Sequence, residues 1–414
     1  MRVAIPALGT RGDVQPYVAL GVGLRRAGHE VLVCTLGEFR GLVEGHGLEY
    51  QRMPGDSRVI LDWDPMTVSQ WRPLKHIALV HSELSDLVGA VRPADLLEGW
   101  GGVDLVVFGN TTTWGHFHAE TLGVPSVLAA LTPTVATGEF AHPLLVPRGR
   151  LGPWGNYASW IVGEHLQRQT FQEPTRPDAR RALGLPLLPR PRRGGGAARW
   201  PPVPVVHGFS PALIPRPSDW PAHVEVTGTW TTPADGELPA EVAAFLDDGP
   251  APVYIGFGSM PVTEPERVGS IIAGALRRSG RRAIVSGLRA DALERAGGSV
   301  LTVDGVPHDA LFERLAGVVH HGGAGTVDAG LRAGRPTLVV PFVFDQFFWA
   351  RRVELSGAGP RSLPYARLEE EALARALDAL GEPRVRDAAQ RLGARIREED
   401  GVARAVAAIE RAAS

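Results

Sequence analysis

Apolar residues in this chain fall into short continuous runs, each followed by a stretch in which they recur every three or four positions. RVAIPAL (2–8) is the first run. Residues 14–27 (VQPYVALGVGLRRA) then space their apolar side chains for one helical face, Gly28 stops that helix, and EVLVCT (30–35) is the next run. DLVVFGN (104–110) and PSVLAAL (125–131) repeat the theme around a helical stretch at 115–122. Strands that are apolar on both faces belong to a parallel sheet covered by helices on both sides.

The pattern breaks in the middle. Residues 140–203 are rich in proline, arginine and tryptophan, and PRPRRGGGAARWPPVP (189–204) reads as a low-complexity, solvent-exposed loop. HGFSPALIPRPSDWPAHVEVTG (207–228) is punctuated by prolines, as an interdomain connector should be. The alternation then restarts with strands at PVYIGFGS, RAIVSG, SVLTVDG, GVVHH and PTLVVP and a helix at 264–280, and three helices (367–380, 384–397, 399–412) close the chain. A length of 414 residues also favours two domains over one core. The predicted layout is an α/β fold of two Rossmann-like, doubly wound parallel-sheet domains facing across a cleft. The first covers 1–206, a connector 207–230, and the second 231–395. The last helix, 396–414, is expected to pack back on the first domain.

Composition narrows the class. Charged residues make up 21% of the chain and the formal net charge is −2, so no global pull toward nucleic acid or an anionic membrane is expected. Lys75 is the only lysine, and the scattered arginines read as coding bias rather than a basic face. The single cysteine, Cys34, excludes an intramolecular disulfide and a cysteine-rich metal site. Arg11 and Asp13 interrupt the N-terminal apolar run too early for a signal peptide, and no run approaches the length of a membrane span. The expectation is a cytoplasmic enzyme with at most peripheral membrane contact, monomeric or homodimeric.

The densest chemical signal is HHGGAGTVDAGLRAGRPTLVVPFVFDQFFWARRV (320–353). A strand runs into a glycine-rich turn and a helix begins near Thr326. Glycines allow close backbone approach, and a helix N-terminus offers unpaired N–H groups, so with His321 and Thr326 the turn suits a diphosphate. Asp345 and Gln346 follow the next strand at the ligand-binding edge of such a sheet, where a carboxylate beside an amide suits sugar hydroxyls. Singly, His321 is also readable as a packed histidine, Thr326 as a helix cap and Asp345 as the cap of the next helix. In this order they favour a nucleotide-sugar site.

These motifs make the chain similar to the family 1 glycosyltransferases of the GT-B fold, in particular the bacterial antibiotic-type enzymes and the sterol glucosyltransferases. The resemblance rests on GTRGDVQPYVALG, HGFSP…IPRPSDWPAHVEVTGTW, HHGGAGT and FDQFFWARRV, and covers nearly the whole chain. It implies that the C-terminal half holds a UDP- or dTDP-sugar. His321 and Thr326 would contact the diphosphate, Gly322, Gly323 and Gly325 would give backbone room, and Asp345 and Gln346 would hold sugar hydroxyls. Ser259 would be a second phosphate contact, and Val306 to His308 the loop against the nucleobase. Arg11 and Gly12 are counted with the donor contacts.

GTRGDVQP lacks the G-x-G-x-x-G fingerprint of dinucleotide binding. Many relatives carry a catalytic histidine in a G-H-V-x-P pattern, and here Asp13 takes its place, as in the antibiotic-type and sterol enzymes. Asp13 is therefore the candidate general base of an inverting displacement that requires neither metal nor cofactor. Its alternative role is to cap helix 14–27, and both can hold. His116 and His118 are secondary candidates for the base. Trp63, Trp71, Trp114, Trp154 and Trp160 suggest a large apolar acceptor such as a polyketide, a macrolide-like lactone or a sterol, with Trp63, Trp71, Trp114 and His116 as its contacts. The alternatives are a nucleotide-sugar 2-epimerase and a non-catalytic activator on the same fold.

Overall fold

The computed structural model describes residues 1–55, 99–146, 149, 151–171, 203–232 and 236–413. Seven strands form the first sheet: β1 (Arg2–Pro6), β2 (Glu30–Leu36), β3 (Glu49–Met53), β4 (Leu105–Phe108), β5 (Ser126–Ala130), β6 (Val205–His207) and β7 (Val224–Val226). Their spatial order is β3-β2-β1-β4-β5-β6-β7, and every pairing is parallel. Five more make the second: β8 (Val253–Gly256), β9 (Ala283–Ser286), β10 (Val300–Val303), β11 (Gly317–His320) and β12 (Thr337–Val339), ordered β10-β9-β8-β11-β12 and again parallel. β1 after its first residue, all of β4 and all of β8 and β11 are buried, as strands covered on both faces must be.

Strand order fixes where ligands bind. It reverses between β1 and β4 in the first sheet and between β8 and β11 in the second, and the crevice beyond the carboxyl ends of such strands is the ligand site of open α/β sheets. The turn GTRGD follows β1, Phe257-Gly258-Ser259 follows β8, and His321-Gly322-Gly323 follows β11. All three chemical motifs therefore sit at switch points.

Two sequence expectations are corrected. The first helix spans Arg11–Arg26 rather than 14–27, with Thr10 as N-cap. The stretch 207–230 is only partly a connector, because its segment Val224–Val226 is strand β7 at the sheet edge. The proline-rich loop before it is organised by Arg216, whose guanidinium donates to the carbonyls of Val224, Pro217, Trp220 and Pro221 at 2.7–3.3 Å.

The helix Gly401–Ala413 returns to the first domain. It buries Ala405, Val406, Ala408 and Ile409 in that domain's core, with His29 against Glu410 at 3.0 Å and Arg411 against Glu225 at 2.9 Å. A separate apolar cluster joins the two sheets' surroundings: Phe209, Ile214 and Trp220 pack with Leu331, Trp349 and Ile396. Among the described residues no helix is long and apolar enough to cross a membrane.

Candidate active site

The first helix delivers Asp13 at its third position. One carboxylate oxygen accepts the Thr10 amide at 2.8 Å and the Thr10 hydroxyl at 3.0 Å, which ties down the helix start. Gly9 makes this possible: its φ is +145°, and a Cβ there would lie 2.4 Å from Asp13 Oδ2. Burial raises the proton affinity of Asp13, and the two bonds from Thr10 pull it partly back. Asp13 thus caps the helix and is also a partly exposed carboxylate of raised basicity.

His321 stands where β11 ends. The site is carved by two glycines, since a Cβ on Gly258 would lie 2.9 Å from His321 Cε1 and one on Gly323 2.6 Å from Nε2. Burial, then the nearby His308, lowers its pKa to about 4, so the ring is neutral at physiological pH. His321 Nδ1 is buried and without a hydrogen-bond partner. The helix Ala324–Arg332 opens next to it, with Gly323 as N-cap, Gly325 and Thr326 in its first turn, and its first amides free for an anion. His320, one residue earlier, points into the core and accepts the Gly322 amide at 3.0 Å.

His308 begins the short helix His308–Phe312, stacks on Phe312 with centroids 4.6 Å apart, and meets the Tyr254 hydroxyl at 3.3 Å. Val306 packs against the same cluster. Burial and then the charge of Arg11 lower the His308 pKa to about 4. Arg11 belongs to the first domain and His308 to the second, so this influence acts across the cleft. Ser259 is exposed directly after β8, beside Gly258, and Gly12 is exposed next to Arg11.

Asp345 follows β12 and is the N-cap of the helix Gln346–Ser356. Phe344 before it has φ +52°, an unfavourable conformation for an aromatic residue, and this local strain marks the turn that presents Asp345. Trp349 Nε1 donates to Asp345 Oδ2 at 2.9 Å. Burial raises the Asp345 pKa to about 6 against the pull of that bond, and the charge of Asp13 adds to the rise.

Several expected roles are revised. Gln346 is turned inward: its Oε1 accepts the amides of Phe342 and Val343 at 2.8 and 3.0 Å, and its Nε2 faces the Met260 sulfur at 3.1 Å. It braces the turn that carries Asp345 rather than facing the cleft beside it. Trp114 is 2% exposed and packs on Trp100 and His118 in the first domain's core, because its helix Trp114–Leu122 is buried all round from Trp114 to Ala119. His116 is equally internal, bonded through Nδ1 to Ser126 Oγ at 2.8 Å, and His118 holds the Trp114 carbonyl at 2.9 Å. Trp160 is a core residue as well, while Trp154 is 89% exposed on a helix face shared with Ile161 and Val162. Trp63 and Trp71 lie outside the described residues.

Arg11, Asp13, His308, His321 and Asp345 are thus brought together from two domains. Two further residues join the site without having been expected from the sequence: Trp349, whose i+4 spacing from Asp345 on a helix is a usable signal, and Tyr254 under His308. A cavity of about 880 Å³ opens elsewhere on the second domain, between Arg361, Leu363, Ala376 and Arg384, and none of these five residues lines it.

The chain is similar to known proteins in sequence and fold. Residues 3–139 match the glycosyltransferase family 28 N-terminal domain, and residues 284–406 the erythromycin biosynthesis protein CIII-like C-terminal domain. Two sterol 3-beta-glucosyltransferases of Arabidopsis thaliana are 34% and 33% identical over 99% of this chain, which spans about two thirds of their length (65% and 68%). Among solved structures, a spinosyn rhamnosyltransferase complexed with thymidine diphosphate superposes with a TM-score of 0.64 at 21% identity, covering 99% of this chain and 100% of that one. The same enzyme with spinosyn aglycone gives 0.65 at 22% identity, with the same coverage. With two parallel-sheet domains, three motifs at switch points and this degree of identity, the chain belongs to the family 1 glycosyltransferases of the GT-B fold.

Proposed function

We propose that the protein is an inverting glycosyltransferase that moves a sugar from a UDP- or dTDP-sugar to a hydroxyl of a hydrophobic small molecule. The observation that carries this reading is the placement of the motifs: the turn bearing Arg11 and Asp13 lies at the switch point of the first sheet, His321 at that of the second, and the charges of Arg11 and Asp13 are felt at His308 and Asp345 of the second domain. An acceptor-side carboxylate and a donor-side carboxylate then flank one reacting centre. Asp13 takes the hydroxyl proton as the oxygen attacks the anomeric carbon and the bond to the diphosphate breaks. A base of raised proton affinity suits that task at neutral pH.

The leaving diphosphate gathers negative charge. The amides at the start of Ala324–Arg332 and the neutral imidazole of His321 would donate to it, with Ser259, Gly12 and Thr326 as its further contacts. Asp345, ionised above about pH 6, accepts from sugar hydroxyls. Val306 and His308 border the nucleobase end. The reading places no metal in the reaction, so turnover should survive EDTA. The names of the relatives, with sterol and spinosyn acceptors, support a bulky apolar alcohol as acceptor.

Thermal-shift measurements with UDP and dTDP, then with their sugars, test the donor side, since a ligand of the folded state raises Tm. Incubation of the preferred sugar nucleotide with polyketide, macrolide-like and sterol alcohols should then yield a glycoside of inverted anomeric configuration. A 2-epimerised or merely hydrolysed sugar nucleotide would contradict the transfer reading.

A further inference from the structure

We propose that Trp349 is a positioning residue for the donor sugar, holding the Asp345 carboxylate in the orientation that reads the sugar hydroxyls. The inference rests on the reading of Asp345 as a sugar contact.

The geometry is specific. Asp345 is the N-cap of the helix Gln346–Ser356, yet its side chain makes no cap bond to that helix's backbone. Its Oδ2 instead takes the indole N–H of Trp349 at 2.9 Å, while the Trp349 amide donates to the Asp345 carbonyl at 2.9 Å. A carboxylate on a strained turn has a free χ1 unless something holds it, and one charge-assisted bond from a rigid donor does so. The orientation so fixed is the one in which the carboxylate would meet the sugar hydroxyls.

Trp349 is itself immobile. It is 2% exposed, meets Phe348 edge-on at 5.7 Å and Phe209 at 6.3 Å, and lies in the cluster that joins the connector and the second domain's helices. Phe348 in turn touches Phe140 of the first domain at 5.8 Å, with the Arg352 guanidinium over both rings. The donor carboxylate is therefore anchored to packing that involves both domains. A bond donated to a carboxylate also favours its ionised form, opposing both burial and the Asp13 charge. Asp13 is the one titratable group whose charge is felt at Asp345 among the described residues.

Trp349→Phe keeps the aromatic volume and removes the donor. The expected result is a roughly tenfold loss of affinity for the sugar nucleotide, with affinity for the free nucleoside diphosphate unchanged. The acid limb of the kcat/KM profile should also move to higher pH, a change that a purely structural residue would not cause. Trp349→His, which keeps a ring N–H, should recover part of the loss. In an Asp345→Ala background Trp349→Phe should add nothing, because both act through one carboxylate. Full additivity of the two substitutions, or an unmoved acid limb, would overturn the inference while leaving Asp345 as a sugar contact. If Asp345→Ala itself spares sugar-nucleotide affinity, the underlying reading fails, and the inference with it. Loss of the fold in both Trp349 variants would make it a core residue and overturn the assignment too.

Discussion

Asp13 and Asp345 stand at the heads of helices in opposite domains, and the charge of the first adds to the burial that lifts the second to a pKa of about 6. Burial is the larger cause and the Asp13 charge the lesser, and the two carboxylates are held in place by unrelated parts of the chain. The folded protein pays a standing electrostatic cost at the point where the two substrates would meet.

That cost has a pH signature. Asp345 holds its proton up to about pH 6 in the folded protein, against about 4 in an unfolded chain. Its contribution therefore favours the fold fully below pH 4 and is lost as pH rises through 6. Asp345→Asn still accepts the Trp349 N–H but no longer ionises. It should stabilise the protein by about 1–2 kcal/mol at pH 8, discounting for partial exposure, and leave stability at pH 4 nearly unchanged. Chemical denaturation at both pH values measures it, and equal effects at the two would contradict a raised Asp345.

Gln346→Ala separates bracing from sugar contact. It leaves the amides of Phe342 and Val343 without their acceptor, a loss of about 1–3 kcal/mol. Melting temperature should drop, and free nucleotide and sugar nucleotide should both bind less well. An unchanged Tm with a loss confined to the sugar nucleotide would return Gln346 to the sugar.

His321→Ala removes a neutral donor from the place where diphosphate charge collects. Affinity for the nucleoside diphosphate and its sugar should both fall roughly tenfold or more, and transfer should slow. Unchanged donor KM and kcat would remove His321 from the phosphate site.

The parallel sheets were legible because a strand buried on both faces must be continuously apolar, and VAIP, LVVF and VYIG are. The glycine-rich turns were legible because only tight approaches require such residues in series. Strand β7 was hidden by the prolines around it, whose loop depends on Arg216 reaching four carbonyls, a tertiary effect with no local pattern. Trp114 and His116 were misread for a related reason. A helix covered on most sides puts even aromatic and imidazole groups into the core, and composition cannot say which side faces a ligand. Gln346 sits one residue from Asp345 in sequence, but a helix start sends neighbours in different directions.

In the proposed reaction Asp13 is the base, not only the reach-back cap of its helix. Asp13→Asn tests it most directly, because the amide oxygen can still accept the Thr10 N–H while basicity is gone. The measurement is single-turnover transfer to an alcohol acceptor, alongside Tm and donor Kd. A catalytic Asp13 predicts a folded protein with donor Kd unchanged and transfer slowed by about 10²–10⁴-fold. Near-normal transfer by Asp13→Asn would contradict it and leave Asp13 as a cap alone.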